Sequence, residues 1–376
     1  MIRHSISPRP DWQQTVESTG MVFHTNDNGQ PYWDESACYE FTSAEIDDLE
    51  AVAAELHARC LEAVDQVIRR GLWEELAIPE AALPVIQTSW ERQDPSIYGR
   101  FDVLYNAQGV PKMLEYNADT PTSLLEASVT QWYWLKDFQG DLDQFNSIHE
   151  KLIAAWPGTG FKRMHFVSVS DHPEDEQTVN YLQDTCIQAG LQTKRLGIED
   201  LGWDRKLQFF VDLENEKIDA CFKLYPWEWM WKEEFGKFLP LRSIQFIEPT
   251  WKMLLSNKGI LPILWRLFPD HPNLLPAFRE SPAPGMRNYA RKPLLGREGA
   301  NVRLVKRGMT LAETQGAYGD NIYIYQELVE PTNFDGNHPT LGLWIVKDEP
   351  AGLGIREDSS LIAANQSRFV PHYFRP

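Results

Sequence analysis

The chain is short of basic residues: 36 Lys and Arg stand against 54 Asp and Glu, for a formal net charge of −18. That balance disfavours a nucleic-acid partner, since proteins that grip a phosphate backbone concentrate positive charge. It suits either an ordinary acidic surface or the attraction of a cationic small molecule. Long apolar runs are missing too. A membrane helix needs about 20 apolar residues in a row, and the best run here, Gly259 to Trp265, is short and interrupted by Pro262. The first ten residues lack the apolar stretch of a secretory signal, so a cytoplasmic protein with no membrane partner is expected. Cysteine is scarce. Cys38, Cys60, Cys186 and Cys221 are isolated, with no Cys-x-x-Cys pair, which points to reduced, mostly buried thiols rather than disulfides or a zinc site. There is no internal repeat and no low-complexity tract.

What is present is a globular balance, 43% hydrophobic and 24% charged. The 376 residues include 14 Trp and 18 Phe, enough for two or three subdomains packed around a large shared core. Residues 43–70 repeat apolar side chains at helical spacing, with acids in the first turn and Arg69-Arg70-Gly71 at the end. A hairpin is predicted at about 98–118, turning through Asn106 to Gly109. Residues 122–138 read as helical, ending near Gly140. From about 162 to 225 strand and helix alternate: a strand from Arg163, a helix from Asp175 to Ala189, then strands at Thr193–Leu196, Leu207–Val211 and Ala220–Leu224. This is a small α/β unit with parallel-sheet character. After Pro249 come a helix and then glycine-rich and strand-rich segments.

Several segments could carry chemistry. Period-two alternation turns Arg100 and Asp102 to one face of the hairpin's first strand, and Glu115 and Asn117 to one face of the second. Two carboxylates and an amide oxygen suit magnesium, and a guanidinium beside them suits a transferring phosphoryl group. Read alone, the same alternation is equally the polar solvent face of a hairpin. Lys292 runs into a loop with Gly296 and Gly299, followed by a strand from Asn301 to Val305. Glycines let backbone N–H groups approach phosphate and a lysine adds charge, although this is no Walker loop. Lys258, between two apolar stretches, is either a snorkelling surface residue or a second phosphate ligand. The strand from Asn321 to Leu328, with Gln326 and Glu327 near its end, is a buried strand whose backbone could read a purine edge. Arg356 follows two glycines, and Leu361, Ile362 and Ala363 could pack on a nucleotide ring or simply in the core.

These blocks together resemble the synthetase half of the glutathionylspermidine synthase family, an ATP-grasp family of acid–amine ligases. The resemblance is carried by Tyr98-Gly99-Arg100-Phe101-Asp102, by Leu114-Glu115-Tyr116-Asn117-Ala118-Asp119-Thr120-Pro121-Thr122 and by Ser256-Asn257-Lys258. It continues through Pro272 to Ala277, Lys292 to Asn301, and Pro350 to Asp358, in family order along nearly the whole chain. The resemblance includes stand-alone bacterial members described as acid–amine ligases. The resemblance implies an α/β (α+β) ATP-grasp fold with a small α/β pre-ATP-grasp-like subdomain. Residues 1–160 would hold the metal-binding hairpin, 161–250 the α/β subdomain and 251–376 the nucleotide-binding part. No amidase domain is expected. Asp102, Glu115 and Asn117 would bind magnesium, as two ions, and Arg100 with Phe101 and Asp102 would meet ATP. Lys258 and Lys292 would hold phosphates under the Gly296–Gly299 loop. Gln326, Glu327, Leu328, Leu361, Ile362 and Ala363 would line the adenine pocket, and Arg356 would lie near the reacting carboxylate or γ-phosphate.

The expected function is ATP- and magnesium-dependent joining of a small, peptide-like carboxylic acid to an amine through an acyl phosphate. An ATP-dependent phosphotransferase and a non-catalytic nucleotide-binding protein are the alternatives. For the substrates the resemblance implies Asp119, Thr120 and Thr122. The acidic cluster Glu174, Asp175 and Glu176 falls near the family's paired glutamates, which the resemblance would assign to the amine, although helix starts attract acids anyway and that reading is slightly favoured. Where glutathione-using members have Lys-Thr-Trp-Ala-Trp-Glu-Thr, this chain has Lys223-Leu224-Tyr225-Pro226-Trp227-Glu228-Trp229. Leu224 and Trp229 replace both threonines, which implies a different acid.

Overall fold

A computed structural model describes residues 1–139, 141–316, 322–364 and 366–375. Gly140 and Asn321, used above to bound a helix and a strand, lie outside the described residues.

The helix expected at 43–70 spans Ser43–Arg70. Its cap is Thr42: the hydroxyl accepts from the Glu45 N–H and the Glu45 carboxylate accepts from the Thr42 N–H, a reciprocal capping box. Its buried stripe, including Leu49, Leu56, Cys60 and Val64, lies in one cluster with Phe101, Val103 and Tyr116 of the hairpin. The helix therefore covers one face of the sheet that carries the hairpin. The polar residues of the same strands are left on the other face.

That sheet has five antiparallel strands in the order 368–369, 349–358, 338–346, 98–105, 111–117. The hairpin matches its predicted bounds but contains a bulge. Asp102 pairs with Glu115 and Val103 with Met113, so Leu114 is skipped by the ladder. A second antiparallel sheet runs 277–279, 323–327, 289–293, 303–306, 309–313. Its strand after the glycine loop begins at Arg303 rather than Asn301, because Asn301 takes a left-handed turn conformation at φ 57°.

The α/β unit forms a parallel sheet, ordered 245–247, 220–224, 163–168, 192–197. The helix between its last two strands spans Pro173–Gln188, with proline in the first turn. The strand expected at 207–211 does not join this sheet. Asp204 accepts from the Lys206 and Leu207 N–H groups, which makes a turn, and only Phe209–Val211 extends, pairing antiparallel with Gly202–Asp204. After Pro249 the chain forms two short helices, Met253–Ser256 and Ile260–Leu267, separated by extended Asn257. The helix expected from 122 is interrupted at its start. Ser123 is left-handed at φ 66°, and a π-helical turn, Glu126–Thr130, precedes Gln131–Phe138.

A three-stranded sheet joins the ends of the chain: strand 37–42 pairs antiparallel with 2–5 and parallel with 372–375. All four cysteines are buried free thiols. Among the described residues no helix is long and apolar enough to cross a membrane.

Candidate active site

The register of the hairpin sets Arg100 opposite Asn117 and Asp102 opposite Glu115, and directly opposed residues share a face. Arg100 donates to both oxygens of Asp102, from Nε at 2.7 Å and Nη2 at 3.1 Å. Its Nη1 donates to the Thr122 carbonyl at 2.5 Å. The guanidinium also lies 5.7 Å from the Trp344 ring centroid. Asn117 Nδ2 donates to Asp102 at 3.1 Å and to Glu115 at 3.3 Å. The four side chains form one connected polar patch rather than separate surface groups.

Two lysines complete it. Lys258 Nζ sits 3.1 Å from Glu115 Oε2 and donates to the Gly296 carbonyl at 2.7 Å. Lys292 Nζ donates to Gln326 Oε1 at 2.8 Å and to the carbonyl of the bulge residue Leu114 at 3.1 Å. Burial alone would raise the Glu115 carboxyl, but Lys258 and Lys292 outweigh it and bring it down to about 2. Burial pushes the Lys292 ammonium down to about 8, with Glu115 opposing and Lys258 adding to the fall. An ionised carboxylate thus lies beside a lysine crowded by a second cation, an arrangement that an incoming anion would relieve.

A cavity of about 230 Å³ opens over this face. Both antiparallel sheets and the loop around residues 294–300 contribute to its walls. Gly299 has φ +68°, and a Cβ on it would stand 2.4 Å from the Ala363 carbonyl oxygen. The loop therefore rests directly on the 361–363 segment. Arg297, between the two loop glycines, donates to Thr120 Oγ1 at 2.6 Å, lies 3.5 Å from Glu228 Oε1 and sits over the Trp229 ring at 5.5 Å. Arg297 and Glu228 both line the cavity and were missed in the sequence. A charged residue between two loop glycines was the available signal.

Arg100, Asp102, Glu115, Asn117, Lys258 and Lys292 all line the cavity. So do Gly296, Gly299 and Arg356, the candidate adenine-site residues Gln326, Glu327, Leu328, Leu361, Ile362 and Ala363, and the substrate candidates Asp119, Thr120 and Thr122. Asp119 is already engaged: it accepts from Lys223 Nζ at 2.6 Å and from the Trp227 N–H at 3.0 Å. Five expected residues stand apart. The Phe101 side chain faces the long helix, stacked 3.9 Å on Tyr116 and fully buried, because its neighbours 100 and 102 take the cavity face. Leu224 is buried in the parallel sheet. Asp175 and Glu176, with Glu174, form the first turn of helix Pro173–Gln188, outside the cavity lining. Asp175 still feels the site: burial pushes it up to about 6, His172 opposes, Glu174 adds and Arg297 opposes. Trp229 also lies outside the lining and reaches it through Arg297.

Residues 3–375 match the profile described as glutathionylspermidine synthase preATP-grasp. The chain belongs to the glutathionylspermidine synthase family. It is 42% identical, over 98% of both chains, to a Haemophilus influenzae protein named "Putative acid--amine ligase". It is 33% identical to trypanothione synthetase of Crithidia fasciculata, over 85% of this chain and 54% of that one. To the bifunctional glutathionylspermidine synthetase/amidase of Escherichia coli K12 it is 28% identical, over 95% of this chain and 61% of that one. The chain thus spans little more than half the length of the last two. The glutathione synthetase-like effector GSS30 of Globodera pallida, in its apo form, shares the fold at TM-score 0.59 and 12% identity, over 97% of this chain and 95% of that one. The fold is of the ATP-grasp type, and the family makes the chain an enzyme that forms amide bonds.

Proposed function

We propose that the cavity binds ATP with magnesium and uses it to activate a small carboxylic acid as an acyl phosphate, which an amine then attacks. The observation that carries this reading is the convergence of Lys258, Lys292, Arg100 and the glycine loop on Asp102, Glu115 and Asn117 in one cleft. Among the described residues no cluster of three or more His, Cys, Asp or Glu is placed to cage a metal. The donor set fits an ion that takes most of its ligands from water and phosphate, which is how magnesium binds. Glu115, held ionised, and Asp102 would supply its carboxylates, and a turn of the Asn117 amide would supply a third oxygen. Such an ion would offset charge on the phosphate oxygens.

The protein's own groups do the rest. A free carboxylate is a poor electrophile because amide formation would have to expel oxide. Lys258 and Lys292 would hold the phosphates, and Arg100 would stabilise charge on the transferring phosphoryl group. Arg356, on the same sheet two strands away, would hold the acid carboxylate near it. The loop, latched by Arg297 to Thr120 and Glu228, would keep water from the acyl phosphate. Two of the relatives are named as synthetases of trypanothione and of glutathionylspermidine. Trp229 in place of a threonine, under Arg297 at the cavity's edge, supports an acid of different shape here.

Purified protein with ATP, magnesium and an acid–amine panel should release ADP and phosphate only when a productive acid is present. Absence of turnover across a broad panel and a cell extract would sink the reading.

A further inference from the structure

Next to Arg356, on the cavity wall, the structure holds a buried acid for which the mechanism above has no use. Glu126 lies in the π-helical turn and is fully buried. Its Oε1 accepts from the Tyr32 hydroxyl at 2.6 Å, while its Oε2 has no hydrogen-bond partner among the described residues. A buried carboxylate with one oxygen left bare is costly, and a protonated one much less so. Because the Tyr32 proton goes to Glu126, the 3.1 Å contact between Tyr32 and Ser123 is made by the Ser123 hydroxyl donating to Tyr32. Arg356 Nη1 donates to Ser123 Oγ at 3.2 Å. Ser123 lines the cavity, and its left-handed backbone, φ 66°, is a conformation few non-glycine residues adopt without a reason. The hydrogen bonds run in one direction, from the cavity through Ser123 and Tyr32 to Glu126.

We propose that Ser123, Tyr32 and Glu126 form a proton path that removes one proton from the incoming ammonium group, so that the amine attacks in its neutral form. This rests on the amide-forming reading of the same cavity. The ammonium passes a proton to Ser123 Oγ as the Ser123 proton moves to Tyr32 and the Tyr32 proton to Glu126 Oε1. The neutral nitrogen then forms the C–N bond. The C–O bond to phosphate breaks with its electron pair on the phosphate, and a second N–H proton leaves with that group. Glu126 returns its proton to solvent after product release. The groups facing Glu126 suit an acceptor that works near neutrality: burial raises it first, Glu174 adds, and Tyr32 and Arg356 oppose, leaving it at about 7. Glu126 touches no substrate and acts only through Tyr32 and Ser123.

The test compares two nucleophiles in the full-length enzyme, using an acid panel of glutathione, free amino acids and short peptides. Spermidine and other alkylamines arrive protonated, whereas hydroxylamine is neutral at neutral pH and needs no acceptor. Glu126→Gln and Tyr32→Phe should each lower kcat/KM for the alkylamine roughly 100-fold at neutral pH, with hydroxamate formation nearly unchanged. The acid limb of the alkylamine pH profile should give way to a rate that simply follows the free-amine fraction. Equal loss with both nucleophiles, or loss with neither, overturns the path. If wild-type enzyme forms no hydroxamate from any acid, the ligase reading itself falls, and the path with it. Infrared titration of wild type against Glu126→Gln, which needs no substrate, should show a buried carboxyl losing its proton near neutral pH. The absence of such a signal also overturns the proposal.

Discussion

A single methyl group shows how tightly the residues of this site are set. Gly342 pairs with Asp102 across the sheet, and a Cβ on it would stand 2.8 Å from Arg100 Cδ. Gly342→Ala should keep the fold yet push the guanidinium off its seat between Asp102 and Trp344. A displacement of about 1 Å in a positioned group costs about 100-fold, so kcat should fall on that order with an unchanged thermal melting profile. Glu115→Ala should abolish magnesium-dependent turnover, and full turnover in that variant would remove the metal assignment. His372 governs a different property. It is fully buried, its Nδ1 pairs with Gln131 at 3.0 Å, and burial pushes it from the usual 6.5 down to about 3. Its folded pKa lies below its unfolded one, so between these values the unfolded chain binds the extra proton. Stability should therefore fall as pH drops from 6.5 toward 3, by about 1.4 kcal/mol per pH unit from this group, and should not depend on it above 6.5. Urea titrations of His372→Gln should show a flatter acid slope. At this scale the polar face of the hairpin was legible, because alternation is a local rule. Arg297, Glu228 and Glu126 were not, because their roles come from contacts with segments far away in the chain.

At the scale of elements, the long helix and the hairpin were legible because cap, stripe and turn all agree within a short window. The bulge at Leu114 was not. It arises where two strands compare their lengths, and it turns a backbone carbonyl toward Lys292. The stray strand at 207–211 failed for a similar reason: the Asp204 turn outcompetes an apolar pattern of only a few residues. The glycine loop is the element most exposed to a test. Gly299→Ala adds a left-handed alanine and a clash with the Ala363 carbonyl, so the loop can no longer rest on 361–363. Nucleotide KM should rise severalfold, and stability should drop by about 1–2 kcal/mol. An unchanged KM would show that the loop does not cover the nucleotide.

For the whole molecule, one buried acid ties the N-terminal strand to the C-terminal region. Glu357, fully buried, accepts from Arg3 at 2.7 and 3.0 Å, from Arg368 at 2.5 Å and from the Tyr39 hydroxyl. Glu357→Ala would leave two guanidinium groups facing each other without their anion. Removing one member of such a network costs about 3–5 kcal/mol, and chemical denaturation should show a loss of that size. The acidic net charge suggested little about function, and the pairings of 98–105 with 338–346 and of 37–42 with 372–375 could not be read from sequence, since they join segments hundreds of residues apart.

The order of strands around the hairpin also bears on how the protein is made. The strand that carries Arg100 and Asp102 is hydrogen-bonded on its other edge to residues 338–346, which leave the ribosome long after it. A stalled or truncated nascent chain carries the acidic hairpin without the sheet that orders it, the lysines that charge it or the loop that covers it. The cavity face of the hairpin is therefore ordered only once residues 338–346 have been made and have paired with it.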